Sequence, residues 1–289
     1  MNKFTRRTVI AAACAAAAMT FGPMSFAQQA PEKKDVTIAV GGKSLYYYLP
    51  LSIAEQLGYF KDEGLNVKIV DFQGGSRSLQ AVVGGSADVV SGAFEHTISM
   101  QAKKQPMTAF VLQGRAPQLA LVVSNKTMKD YKQLSDLKGK KVGVTAPGSS
   151  SQMVANFILK KGGLGPKDVA FIGVGSSSGA VSAIRSGQID ALINLDPVIT
   201  ILLKNGDAKL VADTRKVKES ESFFGGTMPA GCLYAPVSFI EKNPQTVQAL
   251  TNAIVRADEW LSKATPEEVA KVVPASYLMG NRDIYLAGF

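Results

Sequence analysis

The sequence predicts an α/β protein of two similar lobes, each a mainly parallel sheet flanked by helices, joined by a two-segment hinge. Three observations carry this. Strand-like runs alternate with helix-like runs, the order that builds βαβ units and parallel sheets. The same order recurs about 100 residues further on, and such internal similarity points to a duplicated architecture. In both copies glycine- and serine-rich turns follow the strands, where open α/β sheets hold their ligands.

In the first copy, Val36–Val40 is β-branched and ends at Gly41-Gly42. Leu51–Phe60 has helical spacing, with Gly58 near its end. Val67–Phe72 reads as a strand, Leu79–Val83 as a helix after Gly74-Gly75-Ser76, and Asp88-Val89-Val90 as the start of a third strand. In the second copy, Lys141–Thr145 is a strand ending at Pro147-Gly148, Gln152–Lys161 a helix, Val169–Val174 a strand, Ala180–Arg185 a helix and Asp190–Leu195 a strand. Residues 81–90 and 183–192 align without gaps, and the shared Asp88 and Asp190 are expected to serve equivalent turns. Further on come a helix Val198–Lys204, a strand Leu233-Tyr234-Ala235, and a long amphipathic helix beginning at Asn243-Pro244, an N-cap with proline at the first helical position. Thr265-Pro266-Glu267-Glu268 is a capping box. Gln113–Gln118 and Thr227–Cys232 are the expected hinge segments. The divisions are therefore a signal segment at 1–27, the first lobe at 35–115, the second at 116–236, and a return to the first at 237–289.

The leader is legible by itself. Met1–Arg7 is basic, Thr8–Phe21 is apolar, and Ser25-Phe26-Ala27 offers small residues where a signal peptidase reads, so cleavage before Gln28 is expected. Thr5-Arg6-Arg7-Thr8 fits a twin-arginine signal as well as an ordinary secretory one. Cys14 raises a lipoprotein alternative, against which stands the shortness of the apolar run before it. The chain carries +9 in all, but three of its 32 Lys and Arg lie in the first 27 residues, leaving 29 against 23 acids, a net +6. These charges are scattered and form no nucleic-acid arm. They suggest a mild bias toward anions, or simply a solvated basic surface. With one histidine and, after cleavage, the single Cys232, neither an internal disulfide nor a metal centre is expected. No cofactor is expected either.

The motifs resemble a known family. Leu57–Val67 (LGYFKDEGLNV), Phe72-Gln-Gly-Gly-Ser76, Gly85-Ser-Ala-Asp-Val89, Asp136–Val144 (DLKGKKVGV), Pro147–Ser150 and Gly187–Leu192 through Asp196-Pro197 resemble the nitrate/sulfonate/taurine solute-binding proteins of ABC importers, which include thiamine-pyrimidine-precursor binders. The resemblance implies a type II periplasmic binding protein fold, a monomer, a small-molecule solute and delivery to membrane permease subunits. Asn194-Leu195 stands where many sulfonate and nitrate members have an aromatic residue, which argues against a sulfonate. Members usually continue beyond the equivalent of Phe289, so a shortened C-terminus is expected.

The candidate ligand residues are the following. Gly74, Gly75 and Ser76 precede a helix whose free N–H groups would hold an anion, or form a plain capped turn. Gly148, Ser149 and Ser150 are their counterparts. Ser44 and Tyr46 follow the first strand; one tyrosine of Tyr46–Tyr48 is expected to stack on a planar ligand and at least one to be core. Gly92, Phe94 and Glu95 follow the third strand, and Glu95 suits a ligand amine or solvent. Arg115 is a bidentate partner for a carboxylate or sulfonate, or a surface hinge residue. Asp196 closes the set. His96 reads as a structural histidine. Ser176–Ser178 reads as a helix cap. The leading expectation is a receptor for a small anionic organic solute. The alternatives are a heteroaromatic or pyrimidine-precursor binder, a single-turnover pyrimidine synthase on the same scaffold, and a sensing partner of a membrane kinase.

Overall fold

The computed structural model describes residues 29–289, of which Pro31–Phe289 form one compact unit. The leader and its cleavage site lie outside the described residues. Ten strands make two five-stranded sheets: β1 (Asp35–Val40), β2 (Asn66–Asp71), β3 (Val89–Ala93), β4 (Met107–Leu112), β5 (Ala120–Ser124), β6 (Lys141–Val144), β7 (Ala170–Gly173), β8 (Ala191–Asn194), β9 (Ala208–Asp213) and β10 (Gly231–Pro236). The first sheet runs β2-β1-β3-β10-β4 and the second β7-β6-β8-β5-β9. In each, three parallel strands meet one antiparallel strand in fourth place, β10 or β5, each with a register shift partway along. Each of these strands directly follows a passage of the chain from one sheet to the other. This is the α/β, two-lobed architecture of the periplasmic binding proteins. Strands β3, β5 and β8 are buried throughout, as interior strands of sheets covered on both faces require.

The expected repeat is present down to single hydrogen bonds. Asp88 Oδ2 accepts from Thr37 N and Asp190 Oδ2 from Lys141 N, both at 2.9 Å, so each aspartate pins the start of its lobe's first strand. One boundary shifts. β10 was expected to close the second lobe at 236, but it pairs between β3 and β4, so residues 231–236 belong to the first sheet. The reason is that an antiparallel strand's partners are set by hydrogen bonds distant in sequence, which no local pattern records. The passages pair with each other: Gln113 N donates to Gly231 O at 2.7 Å, and Thr214 Oγ1 to Leu119 O at 2.8 Å.

The helices begin earlier than their apolar spacing suggested, at Gly75 and Ser150, because their first turns are polar turn residues. The Leu51–Phe60 run is broken by left-handed Gly58 into Leu49–Gln56 and Tyr59–Asp62. The helix Pro244–Leu261 packs on Leu49–Gln56 in the first lobe. Its N-terminal N–H groups go to the Glu32 carboxylate, from Gln245 N at 3.1 Å and Thr246 N at 3.0 Å, while the Asn243 amide donates instead to Phe239 O. The Thr265–Glu268 capping box forms as read. The last helix, Arg282–Leu286, packs against Val198–Lys204 of the second lobe. Tyr46 holds it to the first: its hydroxyl donates to the Tyr285 carbonyl and its ring stacks on Phe289.

Candidate functional site

The turns that follow the strands of the two sheets meet face to face. Ser76 N donates to Ser149 Oγ at 3.0 Å, Ser76 Oγ to the Pro147 carbonyl at 2.9 Å, and the Ser150 hydroxyl to Glu95 Oε1. Tyr46 N donates to the Asp196 carbonyl at 3.0 Å. The approach is close enough to demand glycine. A Cβ on Gly42, whose φ is +110°, would lie 2.3 Å from Ser176 Oγ. One on Gly74, with φ +83°, would lie 2.8 Å from the Ala146 Cβ. Only glycine reaches such backbone without strain and without a side chain in the gap.

Between these turns lies a cavity of about 30 Å³. Tyr47, Tyr48, Gly75 and His96 line it from the first lobe; Thr145, Ser149, Ser150, Ser151 and Leu195 line it from the second. Pro117 and Leu119, on the first passage between sheets, also line it. Tyr47 Oη and His96 Nε2, on lining residues, are buried with no hydrogen-bond partner, as are Glu95 Oε2, on the residue bonded to the lining Ser150, and Gln113 Nε2, outside the lining. A buried polar group left alone costs roughly 1–3 kcal/mol, so the two on the lining suit a polar guest. The rest of each side chain is anchored. Ser91 donates to Gln113 Oε1 at 2.8 Å, and His96 Nδ1 lies 2.9 Å from the Tyr234 hydroxyl. Burial pushes the His96 imidazole down to about 4, against a hydrogen bond with the Gly148 backbone that pulls the other way. Burial raises the Glu95 carboxyl, and the Ser150 hydrogen bond offsets part of that rise. Among the described residues, no lysine or arginine lines the cavity.

Of the residues named from the sequence, Gly75, Ser149 and Ser150 line the cavity, and Glu95 joins them through Ser150. Gly74 and Ser76 sit beside it, but the N–H expected to hold an anion is taken by the Ser149 hydroxyl of the opposite lobe. Gly148 is a left-handed turn residue whose N–H goes to Gln152 Oε1. The remaining six lie elsewhere. Tyr46 turns to the last helix, because Tyr46–Tyr48 form one 3₁₀ turn whose members point in three directions. Ser44 is half-buried in its turn and outside the lining. Gly92 accepts the Cys232 thiol, and Phe94 packs in a small apolar cluster with Tyr234. Arg115 is exposed, with no side-chain partner. Asp196 is buried, accepting from Thr200 N and Oγ1 and pairing with Arg215 at 3.1 Å, so it ties the second sheet to the second passage instead of meeting the cavity. Ser176 packs against Gly42 across the lobes. Of the Tyr46–Tyr48 turn the cavity takes Tyr47 and Tyr48, and His96, read as structural, lines it; Tyr234, behind His96, was missed from the sequence. The one available signal was that the sole histidine adjoins Glu95 at the end of a strand.

The chain is similar over most of its length to several known proteins. A solved structure from Bordetella bronchiseptica RB50 is 62% identical, covers 90% of this chain and 82% of its own, and superposes with a TM-score of 0.89. The nitrate-binding protein NrtA of Synechocystis PCC 6803 shares the fold at 17% identity, with a TM-score of 0.74 over 89% of this chain and 70% of that one. YtlA of Bacillus subtilis, named for binding, is 25% identical over 94% of this chain and 79% of its own. A 4-amino-5-hydroxymethyl-2-methylpyrimidine phosphate synthase of Aspergillus parasiticus is also 25% identical, over 88% of this chain and 75% of its own. The NMT1/THI5-like family pattern matches residues 46–269, and the chain belongs to that family.

Proposed function

We propose that the chain is the exported solute receptor of an ABC-type importer, capturing a small organic solute between its lobes and presenting it to membrane permease subunits. The observation that carries this is the cavity between the facing turns, with Tyr47 Oη and His96 Nε2 of its lining residues buried and unpartnered. A cavity of about 30 Å³ has room for a water or two and none for an organic solute. Solute entry therefore needs the lobes to part and re-close, about the paired passages near Gln113–Leu119 and Thr214–Gly231.

The lining favours a heteroaromatic solute, of the pyrimidine-precursor kind, over a sulfonate or carboxylate. Two tyrosines line the cavity, Glu95, bonded to the lining Ser150, would repel an anion, and no lysine or arginine among the described residues lines it. Thermal shift against pyrimidines, sulfonates, carboxylates and nitrate tests this. Stabilisation by a pyrimidine is expected, roughly 2.7 kcal/mol at a hundredfold excess over Kd. Stabilisation by sulfonates alone would reverse the ligand assignment.

A synthase is the second reading, favoured by the similarity to the Aspergillus enzyme. Against it, burial pushes the Cys232 thiol up to about 12, away from the reactive thiolate. Mass spectrometry of solute released from the protein is expected to return it unchanged. The leader reading is tested separately: periplasmic protein should begin at or near Gln28.

A further inference from the structure

The fold gathers in one place charges that are scattered along the chain. After residue 27 the chain is +6, and residues 126–209 carry all of it, with twelve Lys and Arg against six acids. We infer that the far end of the second sheet, opposite the facing turns, is a docking face for an anionic phospholipid bilayer.

Topology puts the cations there. The parallel strands β6, β7 and β8 point their carboxyl ends at the cavity, so their starts lie at the far end. β5 runs against β8 and β9 against β5, so the end of β5 and the start of β9 lie there too, with Ser124 beside Ala208. The connection from β5 to β6 carries Lys126, Lys129, Lys132, Lys138 and Lys140, and β6 opens with Lys141. Lys167 precedes β7, and Lys209 is second in β9. The helices Ser150–Lys161, Ser178–Ser186 and Val198–Lys204 run back from the cavity end and bring Lys160, Lys161, Arg185 and Lys204 to the same place in their last turns. Of the six acids, Asp196 alone follows a strand at the cavity end, which leaves the far end at +7.

Local structure explains part of this set. The helix dipole favours the four cations in last turns, and Lys126 caps Ser178–Ser186, donating to the Arg185 and Ser186 carbonyls at 3.2 and 3.0 Å. Among the described residues, the other seven side chains have no hydrogen bond or ion pair. Four of the five acids are half-buried and engaged. Asp136 Oδ2 accepts from Lys132 N at 2.8 Å, Asp168 Oδ2 from Gly165 N at 2.7 Å and Asp190 Oδ2 from Lys141 N at 2.9 Å, while Asp207 pairs with Arg185 at 2.8 Å. Eleven of the twelve cations are exposed, and Lys140 is half-buried.

All but Arg185 are lysines. Lysine is a hydrated point charge on a flexible stem, without the planar fork by which arginine reads one phosphate or one base. Lysines spread over a surface suit a sheet of negative charge. The choice of a membrane rests on the receptor reading, which places the chain beside one. Docked by this end, the protein turns its facing turns away from the lipid and leaves solute free to enter.

Untagged protein from the periplasm is centrifuged with vesicles of phosphatidylcholine, or of the same lipid with part of it replaced by phosphatidylglycerol. In dilute salt it should sediment with the second kind only, and about 0.5 M sodium chloride should release it, because charges are then screened within a few ångströms. The triple variant Lys129→Glu, Lys138→Glu, Lys167→Glu should bind about a hundredfold more weakly. Lys61→Glu, Lys242→Glu, Lys271→Glu makes the same change of net charge on exposed lysines elsewhere and should bind like the wild type, with circular dichroism showing both triples folded. Sedimentation with both kinds of vesicle or with neither, an equal loss in the two triples, or tighter binding to duplex DNA than to the charged vesicles overturns the inference. Solute takes no part in this assay, so the receptor reading falls separately, if no compound of the thermal-shift panel stabilises the protein.

Discussion

The buried histidine makes stability depend on pH in a way that can be worked out beforehand. In an unfolded chain histidine titrates near 6.5, and in the folded protein burial holds His96 down at about 4. Below pH 6.5 the unfolded chain therefore takes up a proton that the folded protein refuses. Stability supplied by the neutral ring is complete above 6.5, is lost as pH falls toward 4, and changes no further below that. Roughly 2.5 pH units at about 1.36 kcal/mol each give a loss of about 3 kcal/mol. Glu95 acts in the opposite sense, since its raised carboxyl takes up a proton more readily folded than unfolded. The histidine contribution is isolated by comparison with His96→Gln, which removes the titration and retains an amide donor. Urea unfolding followed by circular dichroism at pH 7, 5.5 and 4 should show the stability gap between wild type and variant shrinking by about 3 kcal/mol. A gap that stays constant with pH refutes the reasoning, as does an imidazole found by NMR to titrate near 6.5.

Three more perturbations test the lobe contacts. Gly42→Ala puts a Cβ 2.3 Å from Ser176 Oγ on left-handed backbone, so the lobes cannot meet there; calorimetry with the solute found by thermal shift should show about a tenfold loss of affinity, near 1.4 kcal/mol. Ser150→Ala removes the cross-lobe hydrogen bond to Glu95, worth about 1–2 kcal/mol, and small-angle scattering should register a larger radius of gyration. Arg115→Ala should change stability by less than about 0.5 kcal/mol and leave solute affinity unaltered, because the side chain is exposed and unpaired.

The sequence by itself determined the architecture. Period-2 and period-3.6 runs, glycine stops, and the doubled Asp88/Asp190 pattern placed most elements within a few residues, because those signals are local and repeat. The facing turns at the strand ends were also legible, since chain order alone puts Gly74–Ser76 and Gly148–Ser150 at equivalent places in two equivalent lobes. Tertiary structure alone decided which side chains meet there. The three tyrosines of one 3₁₀ turn are equivalent on paper, yet contact with Phe289 and Tyr285 takes Tyr46 and leaves Tyr47 and Tyr48 to the cavity. Asp196 and Arg115 looked equally apt for ligand binding, but Thr200 and Arg215 claim the first and solvent the second. The anion cradle expected at the Gly74 turn depended on N–H groups being free, and Ser149 reaches one of them from 73 residues away. His96 acquired its importance in the same way. Its burial, its bond to Tyr234 and the bare Nε2 arise from three segments packing together, and packing at long range is what local patterns in a chain cannot encode.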